Sequence, residues 1–166
     1  MTLVSLTGGG ARLVTAAAVL VLLSPLAGCS SAATAVEACM GKQAVSATSG
    51  ELAGTYVGEA HAKGVTLTLE ASDDSTGGKV TVRNWPTGSW YRSELGATFD
   101  GSGTWDVLSG TGSDEYGHVR LSFTEPERFL QDDTLDSLSI AENSERTYLY
   151  EDYDPDVCPT FRLRRT

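Results

Sequence analysis

The chain has 166 residues, with 22 acidic against 12 basic residues and a formal net charge of −10. Nucleic acid and anionic lipid headgroups are repelled by such a surface, so the balance argues against both as partners. With 18 glycines, 5 prolines and no long polar tract, the composition is that of a turn-rich folded domain and not of a disordered chain.

Residues 1–28 have the parts of a secretory signal. Arg12 is their only charge, and Leu13–Leu26 is apolar or small apart from Thr15 and Ser24. Pro25 and Gly28 interrupt the run before it reaches the roughly twenty residues that a membrane-spanning helix needs. The tail Leu26-Ala27-Gly28-Cys29 resembles the lipobox of bacterial lipoproteins. That resemblance implies a diacylglyceryl group, with acyl chains such as palmitate, on the Cys29 sulfur, and cleavage between Gly28 and Cys29. Two acyl chains anchor a protein stably where one holds it marginally. Loss of Arg12 with the signal leaves 11 basic against 22 acidic residues, a mature charge of −11. Residues 29–50 are small, polar and poor in large apolar groups, and read as a lipid-anchored flexible tether. A short helical turn around Ala35–Met40 is compatible with them. Residues 51–166 then form one domain.

With Cys29 committed to lipid, Cys39 and Cys158 remain as an even pair in an oxidising compartment and are expected to form a disulfide. There is no CxxC spacing, and both histidines lie far away in sequence, so a metal or redox role is not assigned.

Along the domain the hydrophobic period is two. Val65, Leu67 and Leu69 alternate with Thr66, Thr68 and Glu70, and Val80 and Val82 with Thr81 and Arg83. The same holds for Val119, Leu121 and Phe123, for Leu138 and Ile140, and for Phe161 and Leu163. Each run predicts a strand with one buried and one wet face. Glycine-, serine- and aspartate-rich turns such as 72–78 and 109–114 separate them. The predicted strands are 54–61, 64–71, 78–84, 101–108, 118–124, 134–141, 146–151 and 159–165; residues 127–132 offer at most a turn or two of helix. The fold class is therefore all-β: a small antiparallel eight-stranded barrel, with a β-sandwich as the alternative. The inward set, which adds Trp105 and Val107 to the residues above, is bulky throughout, and eight strands enclose little more than their own side chains.

Leu52-Ala53-Gly54-Thr55-Tyr56, Gly101-Ser102-Gly103-Thr104-Trp105, the tyrosine-rich strand before Asp154-Pro155-Asp156 and the closing Thr160-Phe161-Arg162-Leu163 resemble small actinobacterial lipoproteins of unassigned function. The Gly-Thr-aromatic strand start also resembles the calycin barrels, lipocalins among them. In that fold an early Trp is covered by a late Arg; this chain has Tyr56 early, with Arg162, Arg164 and Arg165 as the late candidates.

Catalytic signals are sparse. His61 and His118 stand at strand ends beside no nucleophile motif, and no G-x-S-x-G, H-E-x-x-H or P-loop pattern occurs. No catalytic residue, cofactor or metal ligand is assigned. The carboxylates of Asp152-Tyr153-Asp154-Pro155-Asp156 resemble the start of a calcium loop, but the glycine turn and later bidentate acid do not follow. The segment 84–92 is different, because Trp85, Trp90, Tyr91 and Arg92 crowd into one loop. Either the tryptophans fold back to plug a barrel end, or the loop recognises carbohydrate, peptide or a protein surface. The functional reading is a non-enzymatic lipoprotein on the extracytoplasmic face of the cell membrane, binding a partner through these four residues. The alternatives are a barrel holding a small hydrophobic ligand, or a structural accessory lipoprotein.

Overall fold

The computed structural model describes residues 34–73, 76–110, 116–127, 134–144, 146–152, 154 and 156–166. The expected signal peptide, Cys29 and the start of the expected tether lie outside the described residues, as does nearly all of the possible helical turn at 127–132.

Strands form where apolar and polar residues alternate. After a two-residue strand β1 (Lys42–Gln43) come β2 (Gly54–Ala60), β3 (Thr66–Ala71), β4 (Gly77–Pro86) and β5 (Thr98–Leu108). They are followed by β6 (His118–Glu125), β7 (Ser137–Glu142), β8 (Thr147–Tyr150) and β9 (Phe161–Arg165). From β2 to β9 each strand pairs antiparallel with the next, and β9 pairs back onto β2, with Gly58 opposite Leu163. The ring of hydrogen bonds is therefore closed, and the molecule is an eight-stranded antiparallel barrel, not a sandwich. Closure leaves no free sheet edge among the barrel strands. Among the described residues no helix is long and apolar enough to cross a membrane.

Register brings the apolar members of the alternating runs together inside. Tyr56 faces Leu67, Leu67 faces Val82, Val119 faces Leu138, and Leu149 lies between Ile140 and Leu163. Fully burying such an aliphatic side chain contributes about 1.5–3 kcal/mol. Two indoles, Trp85 and Trp105, complete the filling, and both are wholly buried in this core. Glycines stand beside Trp105 on the strands, where the neighbouring backbone comes close. Gly78 stands directly opposite Trp105, and Gly103 is next but one before it on the inner face. A Cβ on Gly103 would lie 2.0 Å from the Ser122 carbonyl oxygen, so no other residue fits. At Trp105 a small residue thus stands opposite a large one, whereas Trp85 stands opposite Phe99.

The segment 34–50, expected as tether, contributes to the outer wall. Helix α1 (Ala35–Met40) starts at Thr34, whose hydroxyl accepts from the Glu37 N–H at 3.2 Å, and ends at Gly41, whose φ of 109° suits glycine. Its Val36 and Met40 are buried with Ala141, Tyr148 and Tyr150, a second, smaller core on the outside of β7 and β8. β1 extends the same wall by pairing with the end of β7. Cys39, in the last turn of α1, is bonded to Cys158 just before β9, with Cα atoms 6.2 Å apart, as expected from the cysteine count. Helix α2 (Ser49–Leu52) opens on a capping box between Thr48 and Glu51. These hydrogen bonds from the Thr48 backbone and hydroxyl hold the Glu51 carboxyl below its usual range. Leu52 caps the end of the barrel core at which β2 begins.

Candidate functional site

A cleft of about 570 Å³ opens at the other end, where β4 finishes and β9 starts, and extends onto the outer face of β6 and β7. Its position follows from how the aromatic segment 84–92 divides. Strict alternation after Val80 and Val82 would turn Trp85 outward. The β4–β5 register instead shifts between Val82 and Trp85, placing an extra residue in the strand. Asn84 takes up that residue with a φ of 53°, its N–H donating to Asp100 Oδ1 at 2.8 Å and its Nδ2 to the Gly64 carbonyl at 3.1 Å. Asparagine tolerates this left-handed conformation better than most residues. The bulge reverses the phase, and Trp85 points inward. Its Nε1–H donates to the Leu135 carbonyl at 2.9 Å, and its ring meets Phe161 edge-on at 5.6 Å and Phe123 at 6.1 Å. Trp85, expected with its neighbours in a partner-binding loop, therefore belongs to the plug that fills this end of the barrel.

Past the plug the chain turns outward. The Thr87 N–H is fixed to the Ala97 carbonyl, and Trp90 follows at the rim with 80 % of its surface exposed. Tyr91 precedes a short helix, α3 (Arg92–Leu95), and is partly covered, while Arg92 is exposed. Of the four residues expected to bind a partner, Trp90 alone lines the cleft.

The rest of the cleft comes from distant parts of the chain. Phe161 and Leu135, which also contact the core or its plug, supply apolar surface. Ser137 and Ser139 alternate with the inward Leu138 and Ile140 and so face out; Asp136, Glu151 and Asp152 add three carboxylates. Among the described residues that line it, none is lysine or arginine. Ser139 Oγ lies 3.2 Å from His118 Nδ1 and also bonds the Tyr150 hydroxyl, which in turn accepts from Gln43. Burial, outweighing the bonds from Gln43 and Ser139, pushes the Tyr150 phenol up to about 12. A serine beside a histidine is one link of a nucleophile–base pair. Among the described residues, however, no carboxylate is hydrogen-bonded to the His118 ring to orient it, and Ser139 is 2 % exposed. Thr87 is the anomaly of the site: it is 2 % exposed, and its Oγ1 has no hydrogen-bond partner among the described residues.

The other residues singled out in the sequence lie elsewhere. His61 is exposed in the turn after β2. Asp154 accepts from the Asp156 N–H at 2.9 Å, a local turn, and no group of three metal-ligating side chains occurs among the described residues. The three late arginines split. Arg162 and Arg164 both bind Glu59, at 3.3 and 2.9 Å. Arg165 stands opposite Tyr56 and donates to the carbonyls of Glu51 and Ala53, while the Tyr56 hydroxyl donates to the Leu52 carbonyl at 2.8 Å. In comparisons with known proteins, no family model, no curated protein and no solved structure matches this chain.

Proposed function

We propose that this chain is a lipid-anchored binding module on the extracytoplasmic face of the cell membrane, engaging an envelope partner through the rim around Trp90 and performing no chemistry of its own. The observation that carries the reading is the contrast between the interior and the mouth. Inside, Trp85, Trp105 and the aliphatic strand residues are buried with little or no exposure, so the space a hydrophobic ligand would need is occupied by side chains. At the mouth, Trp90 stands exposed beside a cleft. Exposed indoles are rare on soluble surfaces and common at the centres of interfaces. The Cys39–Cys158 bond supports export, since structural disulfides persist in oxidising compartments. Attachment through Cys29 rests on the lipobox of residues 26–29.

The test is chemical crosslinking of the membrane-bound protein in its own cells, with wild type beside a Trp90→Ala/Tyr91→Ala/Arg92→Ala variant. These three side chains lie outside the barrel core, and far-UV circular dichroism checks that the variant folds. Loss of one specific partner band supports the reading. An unchanged band pattern opposes it.

A further inference from the structure

The two sulfurs of the Cys39–Cys158 bond have unlike surroundings. Cys39 is exposed in the last turn of α1, and its Sγ lies 3.6 Å from the Val36 carbonyl oxygen. Cys158 is half-buried just before β9, and its Sγ accepts from the Arg162 Nη1–H at 3.0 Å. The same nitrogen reaches the Pro159 carbonyl at 3.4 Å, which helps to hold the guanidinium beside the sulfur. Negative charge is therefore favoured on Cys158, where a cationic N–H meets it, and opposed on Cys39, which faces carbonyl lone pairs. Glu59 is shared between Arg162 and Arg164, at 3.3 and 2.9 Å, so one carboxylate serves two cations. Glu151 and Asp154 line a hollow of about 150 Å³ beside Cys158 and work against a thiolate there, but the Arg162 N–H touches the sulfur itself. Disulfide exchange is fast where the attacked sulfur is accessible and the departing thiolate is stabilised. Both conditions point the same way here: Cys39 is the more exposed residue, and Cys158 is the supported leaving group.

We propose that the Cys39–Cys158 bond is a site of thiol–disulfide exchange, opened by a dithiol reductant that attacks Cys39. The reductant's thiolate forms a new S–S bond to Cys39 Sγ. The Cys39–Cys158 bond breaks, and its electron pair leaves on Cys158 as a thiolate held by Arg162. The reductant's second thiolate then attacks the reductant's own sulfur in the mixed disulfide and releases Cys39. Two electrons and two protons pass to the chain, which ends as two thiols while the reductant ends as a disulfide. What opens is a latch. Neither cysteine belongs to β2–β9, so the closed ring survives reduction. Helix α1 keeps the burial of Val36 and Met40 and the short pairing of β1, but loses its covalent hold on the approach to β9. A helix of six residues is marginal by itself, so that hold matters. The inference goes beyond the rim-binding reading and does not depend on it.

In exported full-length Cys29→Ser protein the two cysteines of the bond are the only ones left. After exposure to 2-mercaptoethanol and an acid quench, peptide mapping should find the mixed disulfide on Cys39, with Cys158 unmodified. A predominant adduct on Cys158 overturns the inference, and this arm needs no change at Arg162. Dithiothreitol should reduce the folded protein without denaturant. Arg162→Gln, its fold checked by far-UV circular dichroism, should slow that reduction about tenfold, the effect of a lost hydrogen bond to a charged group. Arg162→Lys, which keeps the charge, should restore most of the rate. Loosening of the fold would open the bond and speed its reduction, so the direction of the change separates lost stabilisation of the thiolate from lost structure. An unchanged or faster rate in folded Arg162→Gln overturns the inference. Hydrogen exchange of residues 35–43 should be severalfold faster in the reduced protein, with β4 and β5 unchanged. Equal protection of 35–43 in the two redox states overturns the latch.

Discussion

Trp85 and Trp90 share one short stretch of chain and face opposite media: the Trp85 indole is wholly buried and donates to the Leu135 carbonyl at 2.9 Å, whereas Trp90 is 80 % exposed. The bulge at Asn84 separates their fates, because it turns the strand's inward phase onto Trp85 before the chain leaves the barrel. Their substitutions should differ accordingly. Trp85→Ala removes a core indole and its hydrogen bond, and should cost about 3–5 kcal/mol. Trp90→Ala should stay within about 0.5 kcal/mol of wild type. Denaturant titration of both variants measures the difference, and equal losses would contradict the assignment of the two rings.

Tyr56 and Tyr150 should make the fold alkali-sensitive. Burial pushes both phenols up to about 12, with the Arg165 charge opposing it at Tyr56. An unfolded tyrosine ionises near pH 10. The stabilising difference is therefore fully present below pH 10 and is lost as the pH rises from about 10 to about 12, where the unfolded chain releases protons and the folded one does not. Two pKa units correspond to roughly 2–3 kcal/mol per residue at most. Unfolding free energy followed across this range should fall, and Tyr56→Phe should flatten the fall. A pH-independent stability up to 12 would be the contrary result.

The Cys39–Cys158 bond closes a span of 119 residues and holds α1 to the approach of β9. In the chain-entropy model a loop of this size contributes roughly 4–5 kcal/mol, with measured values often lower. In exported full-length Cys29→Ser protein, alkylation under denaturing, non-reducing conditions should find no free thiol. Cys39→Ser/Cys158→Ser should melt at a lower temperature. Two alkylated thiols in the Cys29→Ser protein would contradict the pairing.

Most of the barrel was legible because one-face burial writes itself as alternation, as in Val65-Leu67-Leu69 and Val119-Leu121-Phe123. All eight barrel strands lie near their expected positions. For Trp85 the sequence left two readings, a plug of the barrel end or a recognition residue, because a single extra residue reverses the phase and alternation cannot register it; Asn84, a residue that accepts a positive φ, was the available sign. The packing of 34–50 was hidden for a related reason. Tyr148-Leu149-Tyr150 is apolar on both faces, which marks a strand covered from outside, yet nothing in the run says that Val36 and Met40 provide the cover. The cleft was least legible of all. Thr87, His118, Asp136 and Asp152 meet only through the register of separate strands, and no local pattern joins them.

Membrane attachment should depend on Cys29. Growth with a labelled fatty acid should label the wild-type protein, and Cys29→Ala should lose both the label and the membrane fraction. Unchanged label and fractionation after the substitution would remove the anchor from the account.

The central claim is that recognition occurs at the mouth of the barrel and not within it. The most direct measurement introduces a compact diazirine amino acid, in the protein's own cells, at position 90 in one strain and at the buried position 67 in another. Crosslinking from position 90 should capture a discrete envelope partner, while crosslinking from position 67 should yield only links within the chain. A lipid or other apolar small molecule captured from position 67, with none of the partner captured from position 90, would contradict the account.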